Sequence, residues 1–201
     1  LEADTLTDQE IQRLKACDKL CPHFHLSLQS GSDTVLQRMK RRYTCAEYLT
    51  LVEKLRAAFP GCAITTDIMV GFPGETDEEF AESMSFAEKV GFAKIHVFPY
   101  SIRRGTVAAM RSNQIVPHIK SARAKEMNAL AARLEQKFLE SQVGTVQTVL
   151  IEKRTSPEYC NGFTENYTPI RIYNEDIPRH SLVQVKLTSA NVTYCTGTTE
   201  F

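Results

Sequence analysis

Residues 65–80 read TTDIMVGFPGETDEEF, and this stretch restricts the fold more than any other. The apolar run around Ile64, Ile68 and Val70 predicts a strand buried on both faces, as in a parallel sheet. Asp67 in its middle needs a polar partner, because an unmatched carboxylate is costly to bury. Gly71 and Gly74 allow close approach of backbone or ligand, and Pro73 stiffens the turn between them. Thr76 and Glu79 have the spacing of a capping box, so a helix starts at once. Strand, glycine turn and helix N-terminus in succession are where α/β proteins hold ligands. No Gly-Lys-Ser/Thr follows Gly74, which excludes a Walker loop.

The same alternation runs on both sides of that stretch. Thr7 and Glu10 form a capping box with Leu6 and Ile11 as its staple, so a helix begins there. FHLSL (24–28) alternates as a strand and leads into QSGSD, where Ser32 caps a short helix carrying Val35, Leu36 and Met39. Thr44 and Glu47 open a helix with Tyr48, Val52, Leu55 and Phe59 on one face, ended by Pro60-Gly61. Phe80, Met84 and Ala87 form the inward face of the next helix, and Gly91 stops it. KIHVF (94–98) is a third strand. Helices and strands alternating through short glycine links make parallel βα units, an α/β fold.

A long helix is expected from Pro117 to Gln142, with Met127, Leu130, Leu134 and Phe138 buried. After Gly144 the pattern changes to VQTVLIE, TPIRIY, SLVQVKL and ANVTYCT. These are short strands at steady spacing, as in a small antiparallel β-barrel. Two domains are expected, 1–142 and 143–201.

Charge gives little direction. Lys+Arg and Asp+Glu are each 24. Residues 103–142 hold eight Lys/Arg against three Glu, which suits a solvated helix face as well as an RNA surface. No apolar run reaches the roughly 18 residues of a membrane span, so a soluble, cytoplasmic protein is expected. The six cysteines are scattered, and Cys17 and Cys21 lack a third thiol nearby. Free thiols rather than a disulfide framework are expected. His23 and His25 share one strand face but lack a third ligand, so they are read as structural.

Taken together, HLSLQSGSDTVLQRMKRRYT (25–44), DIMVGFPGETDEEF (67–80) and HVFPYSIRRGTVAA (96–109) resemble successive signatures of the radical S-adenosylmethionine (SAM) methylthiotransferases. The likeness covers nearly the whole chain, and the terminal barrel is similar to an OB-like TRAM domain. It implies the C-terminal half of a parallel (βα) radical SAM barrel followed by that domain. GFTENY (162–167) and the arginines of SIRRGT resemble the branch acting on N6-threonylcarbamoyladenosine in tRNA. The isopentenyladenosine and ribosomal-protein branches, and a non-catalytic RNA-binding module, are the alternatives. Such enzymes convert a modified adenosine at position 37, beside the anticodon, into its 2-methylthio form. They use S-adenosyl-L-methionine and two 4Fe-4S clusters, one held by C-x3-C-x2-C and one by three further cysteines. Neither set occurs here, so the cluster ligands are expected outside this chain and the chain alone is expected to be inactive. It offers no catalytic or metal-ligating residue of its own.

The resemblance also implies site residues. Gln29 and Ser30 leave the first strand toward the ribose or methionyl part of the cofactor. Arg41 suits its carboxylate. Asp67 would accept from a ribose hydroxyl or hold Arg41, and the Val70–Gly71 backbone would lie close to the cofactor. Phe98 and Tyr100 would contact adenine, or simply pack. Toward tRNA stand Arg103 and Arg104, Asn166 for a base edge, Tyr167 for stacking, and Arg171 for phosphate. Tyr159, Phe163, Tyr173, Arg154, Arg179 and Lys186 are supporting candidates. Arg38, Lys40 and Arg42 are expected in solvent or near phosphate.

Overall fold

The computed structural model describes residues 1, 5–156, 158–173 and 177–200, with the side chains of 153–156 left out. In the first half, α1 (Asp8–Lys15) leads to β1 (His23–His25), α2 (Asp33–Arg38), α3 (Cys45–Ala58), β2 (Ala63–Val70), α4 (Asp77–Val90) and β3 (Lys94–Pro99). A 3-10 turn at Ala108–Met110 precedes α5 (Pro117–Gln142). All three expected capping boxes form, at Thr7/Glu10, Thr44/Glu47 and Thr76/Glu79. Gly91 ends α4 in the left-handed conformation, φ 65°. Ser32 is the N-cap of α2 without a capping side-chain bond, because its hydroxyl donates to Glu82 at 2.6 Å instead.

The three strands form one parallel sheet in the order β1-β2-β3. Because side chains alternate, Ile64, Thr66, Ile68 and Val70 of β2 face the helices and are almost completely buried. They pack with Tyr48, Val52 and Leu55 of α3, Ala87 and Val90 of α4, and Met127, Leu130 and Leu134 of α5. The first strand is shorter than FHLSL suggests. The Thr66 hydroxyl accepts from the Leu28 N–H at 2.9 Å and donates to the Leu26 carbonyl at 2.6 Å, taking the place of ladder bonds there. Tyr43 and Tyr48 hydroxyls bind the carbonyls of the same segment. Pairing resumes at Gln29, which bridges Ile68. Along the other edge of β1, the Leu1 N-terminus donates to the His25 carbonyl at 2.8 Å, and the Ser27 N–H donates to the Leu1 carbonyl at 3.2 Å.

The second half contains β4 (Val146–Ser156), β5 (Tyr159–Thr164), β6 (Pro169–Tyr173), β7 (Leu182–Ala190) and β8 (Cys195–Thr198), closed in the order β4-β5-β6-β8-β7. Four neighbouring pairs are antiparallel, but β6 and β8 are parallel. This corrects the fully antiparallel barrel expected. A closed ring with an odd number of strands cannot alternate direction all the way round, so one parallel pair is unavoidable.

The two halves share α5. Its Met127, Leu130 and Leu134 belong to the first core, while Leu139 is buried among Val149, Ile151, Ile170, Val185 and Cys195 of the barrel. Phe138, expected to be buried, is only half-buried, and Leu139 takes that role. Among the described residues no helix is long and apolar enough to cross a membrane.

Candidate functional site

A cleft of about 550 Å³ opens where the strands end. Gln29 follows β1, Met69 and Phe72 lie at the end of β2, Met39 and Arg41 follow α2, and Arg111 comes from the loop after β3. Gln29 has a positive φ of 69°, which non-glycine residues adopt only when their surroundings impose it. Its N–H donates to the Asp67 carbonyl at 2.8 Å, and its carbonyl accepts from Met69 at 2.9 Å. That double tie holds the residue in place and leaves its side chain at the cleft. Arg41 lines the same cleft and is half-buried.

Other predicted residues lie elsewhere. Ser30 is completely buried, and its hydroxyl accepts from the Ser32 N–H at 3.3 Å, so it does not reach the cleft. Val70 is buried among the helices, and its carbonyl accepts from Tyr100 at 2.8 Å. Gly71 adopts φ 70°, and a Cβ there would come within 2.5 Å of Lys120 Cγ. Its N–H is already bound to Glu75 Oε2 at 2.7 Å. Tyr100 is buried edge-on against Phe72 at 5.5 Å, and its hydroxyl has no partner among the described residues. Phe98 is half-buried and faces Met69 in register.

Asp67 finds its polar partner in His25, whose Nε2 lies 3.3 Å from Oδ2. It holds neither Arg41 nor the cleft; the side chain lies on the sheet face opposite the helices, in register with His96. The Thr65 hydroxyl sits 3.1 Å from a ring nitrogen of both His23 and His25. Burial, then the neighbouring His25, holds His23 below its ordinary pKa. This face is therefore a polar stripe. No group of three or more His, Cys, Asp or Glu among the described residues could hold a metal ion.

Two arginines are held in ion pairs across elements. Arg38, expected in solvent or near phosphate, forms a two-pronged pair with Glu79, with Nη1 to Oε1 at 2.9 Å and a second contact from Nη2 to Oε2. That pairing pulls the Glu79 carboxyl down to about 2. Arg123, one of several cations on the basic helix with no sequence signal to single it out, is buried and donates to Glu75 Oε2 at 2.8 Å and Asp77 Oδ1 at 2.7 Å. Together with the Glu75–Gly71 bond, this ties α5 to the glycine turn. Only the capping spacing of Glu79 and the charge of the helix hinted at either pair.

The tRNA candidates divide. Arg103 and Arg104 are exposed on the loop after β3. Arg171 stands over the rings of Tyr159 at 4.8 Å and Tyr194 at 3.9 Å, a half-buried cation on the barrel surface. Tyr167 is 58% exposed with φ 66°, and it stacks on Phe163 at 4.5 Å and His23 at 5.2 Å. Asn166 is a correction. It is buried; its Oδ1 accepts from Thr164 at 2.6 Å and Thr168 at 2.7 Å, while Nδ2 donates to the Gly61 carbonyl and Gln142 Oε1, each at 2.9 Å. An amide satisfied on both sides has nothing left for a base edge. The Arg154 side chain lies outside the described residues.

Comparison with known proteins decides the family. A radical SAM superfamily model matches residues 3–87. A threonylcarbamoyladenosine tRNA methylthiotransferase of Bacillus subtilis is 37% identical over 201 residues, covering 98% of this chain and 45% of that protein. The chain belongs to the radical SAM methylthiotransferase family. A tRNA-2-methylthio-N(6)-dimethylallyladenosine synthase of Geobacillus thermodenitrificans is 38% identical, covering 94% of this chain and 37% of that protein. The chain thus spans less than half the length of the curated methylthiotransferases it matches. Among solved structures, the radical SAM enzyme coproporphyrinogen III oxidase of Escherichia coli superimposes with a TM-score of 0.57. It is 18% identical, covering 69% of this chain and 32% of that one, a likeness of fold alone.

Proposed function

We propose that this chain forms the second half of the radical SAM barrel and the terminal TRAM, OB-like barrel of a tRNA methylthiotransferase. Its substrate is N6-threonylcarbamoyladenosine at position 37 of tRNA, which becomes the 2-methylthio derivative. The observation that carries the reading is the basic cleft at the C-terminal ends of the parallel strands. That end of a βα barrel is where ligands bind.

Arg41 then holds the methionyl carboxylate of S-adenosylmethionine in its planar fork, and Gln29 hydrogen-bonds beside it. Phe98, half-buried on β3 outside the cleft lining, keeps an apolar face for the adenine, whereas the buried Tyr100 packs against Phe72. The bound cofactor supplies radical chemistry to the site. These residues fit the cofactor, since a guanidinium and a strained, cleft-facing amide match its polar groups. The cysteines do not fit an iron–sulfur cluster. Cys17 and Cys21 are exposed, Cys45 is half-buried at the start of α3, and Cys62, Cys160 and Cys195 are buried, Cys62 apart from the other two. The two 4Fe-4S clusters of such an enzyme would be held by residues outside this chain. Arg103, Arg104, Tyr167 and Arg171 meet the anticodon region, and a cytoplasmic location accompanies such a partner.

Arg41→Ala in the full-length enzyme tests the assignment. It should weaken S-adenosylmethionine binding by about 1.5–3 kcal/mol, a lost charge-assisted contact, and leave tRNA affinity unchanged. Equal loss for both ligands in titration calorimetry would move Arg41 to the RNA surface.

A further inference from the structure

We propose that Arg111 reads the carboxylate that a threonylcarbamoyl group carries and a dimethylallyl group lacks, and so selects the modified adenosine that enters the cleft. This inference rests on the function proposed above.

The cleft lining contains five basic side chains, Arg38, Lys40, Arg41, Arg42 and Arg111, and no acidic one. They are not equivalent. Arg38 is spent on Glu79, and Lys40 and Arg42 are exposed, where water solvates them. Arg41 serves the cofactor. Arg111 is half-buried, and no carboxylate among the described residues forms an ion pair with it. Its Nη2 donates only to the Arg38 carbonyl at 3.4 Å, and its guanidinium carbon lies 6.0 Å from the centre of the Phe72 ring.

Taking a guanidinium partly out of water without a counter-charge is unfavourable, so the site gains when an anion arrives. The loop that carries Arg111 is fixed in advance. Gln114 Nε2 donates to the Arg111 carbonyl at 3.1 Å and to the Ala108 carbonyl at 2.8 Å. A planar fork on a fixed main chain is the geometry for two parallel bonds to a carboxylate. Met39, Met69 and Phe72 give the same cleft apolar surface for a nucleobase. The threonylcarbamoyl substituent presents a carboxylate at the end of a short polar arm. A dimethylallyl substituent in its place would cover Arg111 with hydrocarbon and leave the charge unmatched. Sites built for a polar group reject the analogue that lacks it far more strongly than apolar pockets reject extra atoms.

The test uses the full-length enzyme and three anticodon stem–loops of one sequence, with adenosine 37 unmodified, dimethylallylated or threonylcarbamoylated. Wild type should bind the threonylcarbamoyl stem–loop about ten-fold or more tighter than the others. Arg111→Gln should remove that preference and leave affinity for the unmodified stem–loop unchanged, and Arg111→Lys should recover part of it. Equal weakening on all three stem–loops would make Arg111 a phosphate contact and overturn the proposal, as would unchanged preference in Arg111→Gln. The lysine variant keeps the charge and the side-chain bulk, so it decides the matter if the glutamine variant folds poorly. Failure of the wild-type enzyme to methylthiolate any of the three would instead overturn the function on which the proposal rests.

Discussion

The Arg38–Glu79 pair joins residues 41 apart in sequence and has a consequence in acid. Arg38 is the main cause that pulls the Glu79 carboxyl from an ordinary 4.5 to about 2, with Thr34 and the Thr76 N–H assisting against burial. Because the folded carboxyl is the stronger acid, its stabilisation is fully present above about pH 4.5 and fades as pH falls toward about 2. Arg38→Gln should therefore flatten the loss of stability across that window in urea unfolding at a series of pH values. An unchanged slope would mean the pair contributes nothing in solution. Asp67 belongs to the same scale. Its need for a polar partner was legible from a carboxylate within an apolar strand. The partner itself was not, because His25 stands 42 residues away, and the parallel register sets it opposite Thr65, two residues from Asp67 on the same face.

Local signals specified the elements well. Each capping box lies within four residues, so the starts of α1, α3 and α4 could be read directly. What holds the elements together was hidden, because those contacts span long stretches of chain. Gly31 is required because a Cβ there would come within 2.8 Å of Phe86 Cβ and Ser83 Cα, and its N–H donates to the Ser83 hydroxyl 52 residues on. Asn166 reaches 105 residues back to Gly61 and joins the β5–β6 turn to the end of α5 through Gln142. Asn166→Ala leaves buried partners unsatisfied and should cost about 1–3 kcal/mol. It should also raise amide exchange at the β5–β6 turn and at the contact between the two halves. Full stability with weakened tRNA binding would instead return Asn166 to the role of base reader.

The molecule as a whole is a three-stranded parallel sheet with helices on one face and a polar stripe on the other, followed by a closed five-stranded barrel. Fold class and the change of texture after Gly144 were legible because the period of the apolar pattern changes there. The parallel β6–β8 pair was not, since ring closure is a property of all five strands together. The sheet leaves its stripe of His23, His25, Asp67 and His96 facing away from the helices, the side that would become the interior if further strands completed a barrel. The chain covers 45% of the Bacillus subtilis relative, so the proposed activity is one to test in a full-length enzyme. The most direct measurement is mass spectrometry of the nucleosides in threonylcarbamoylated tRNA after incubation with that full-length protein. It is reconstituted anaerobically with iron and sulfide and given S-adenosylmethionine and reductant. The expected result is the 2-methylthio derivative of N6-threonylcarbamoyladenosine from the full-length protein and none from the 201-residue chain. Unmodified N6-threonylcarbamoyladenosine from a fully reconstituted enzyme would contradict it, as would a methylthio product formed by the 201-residue chain alone.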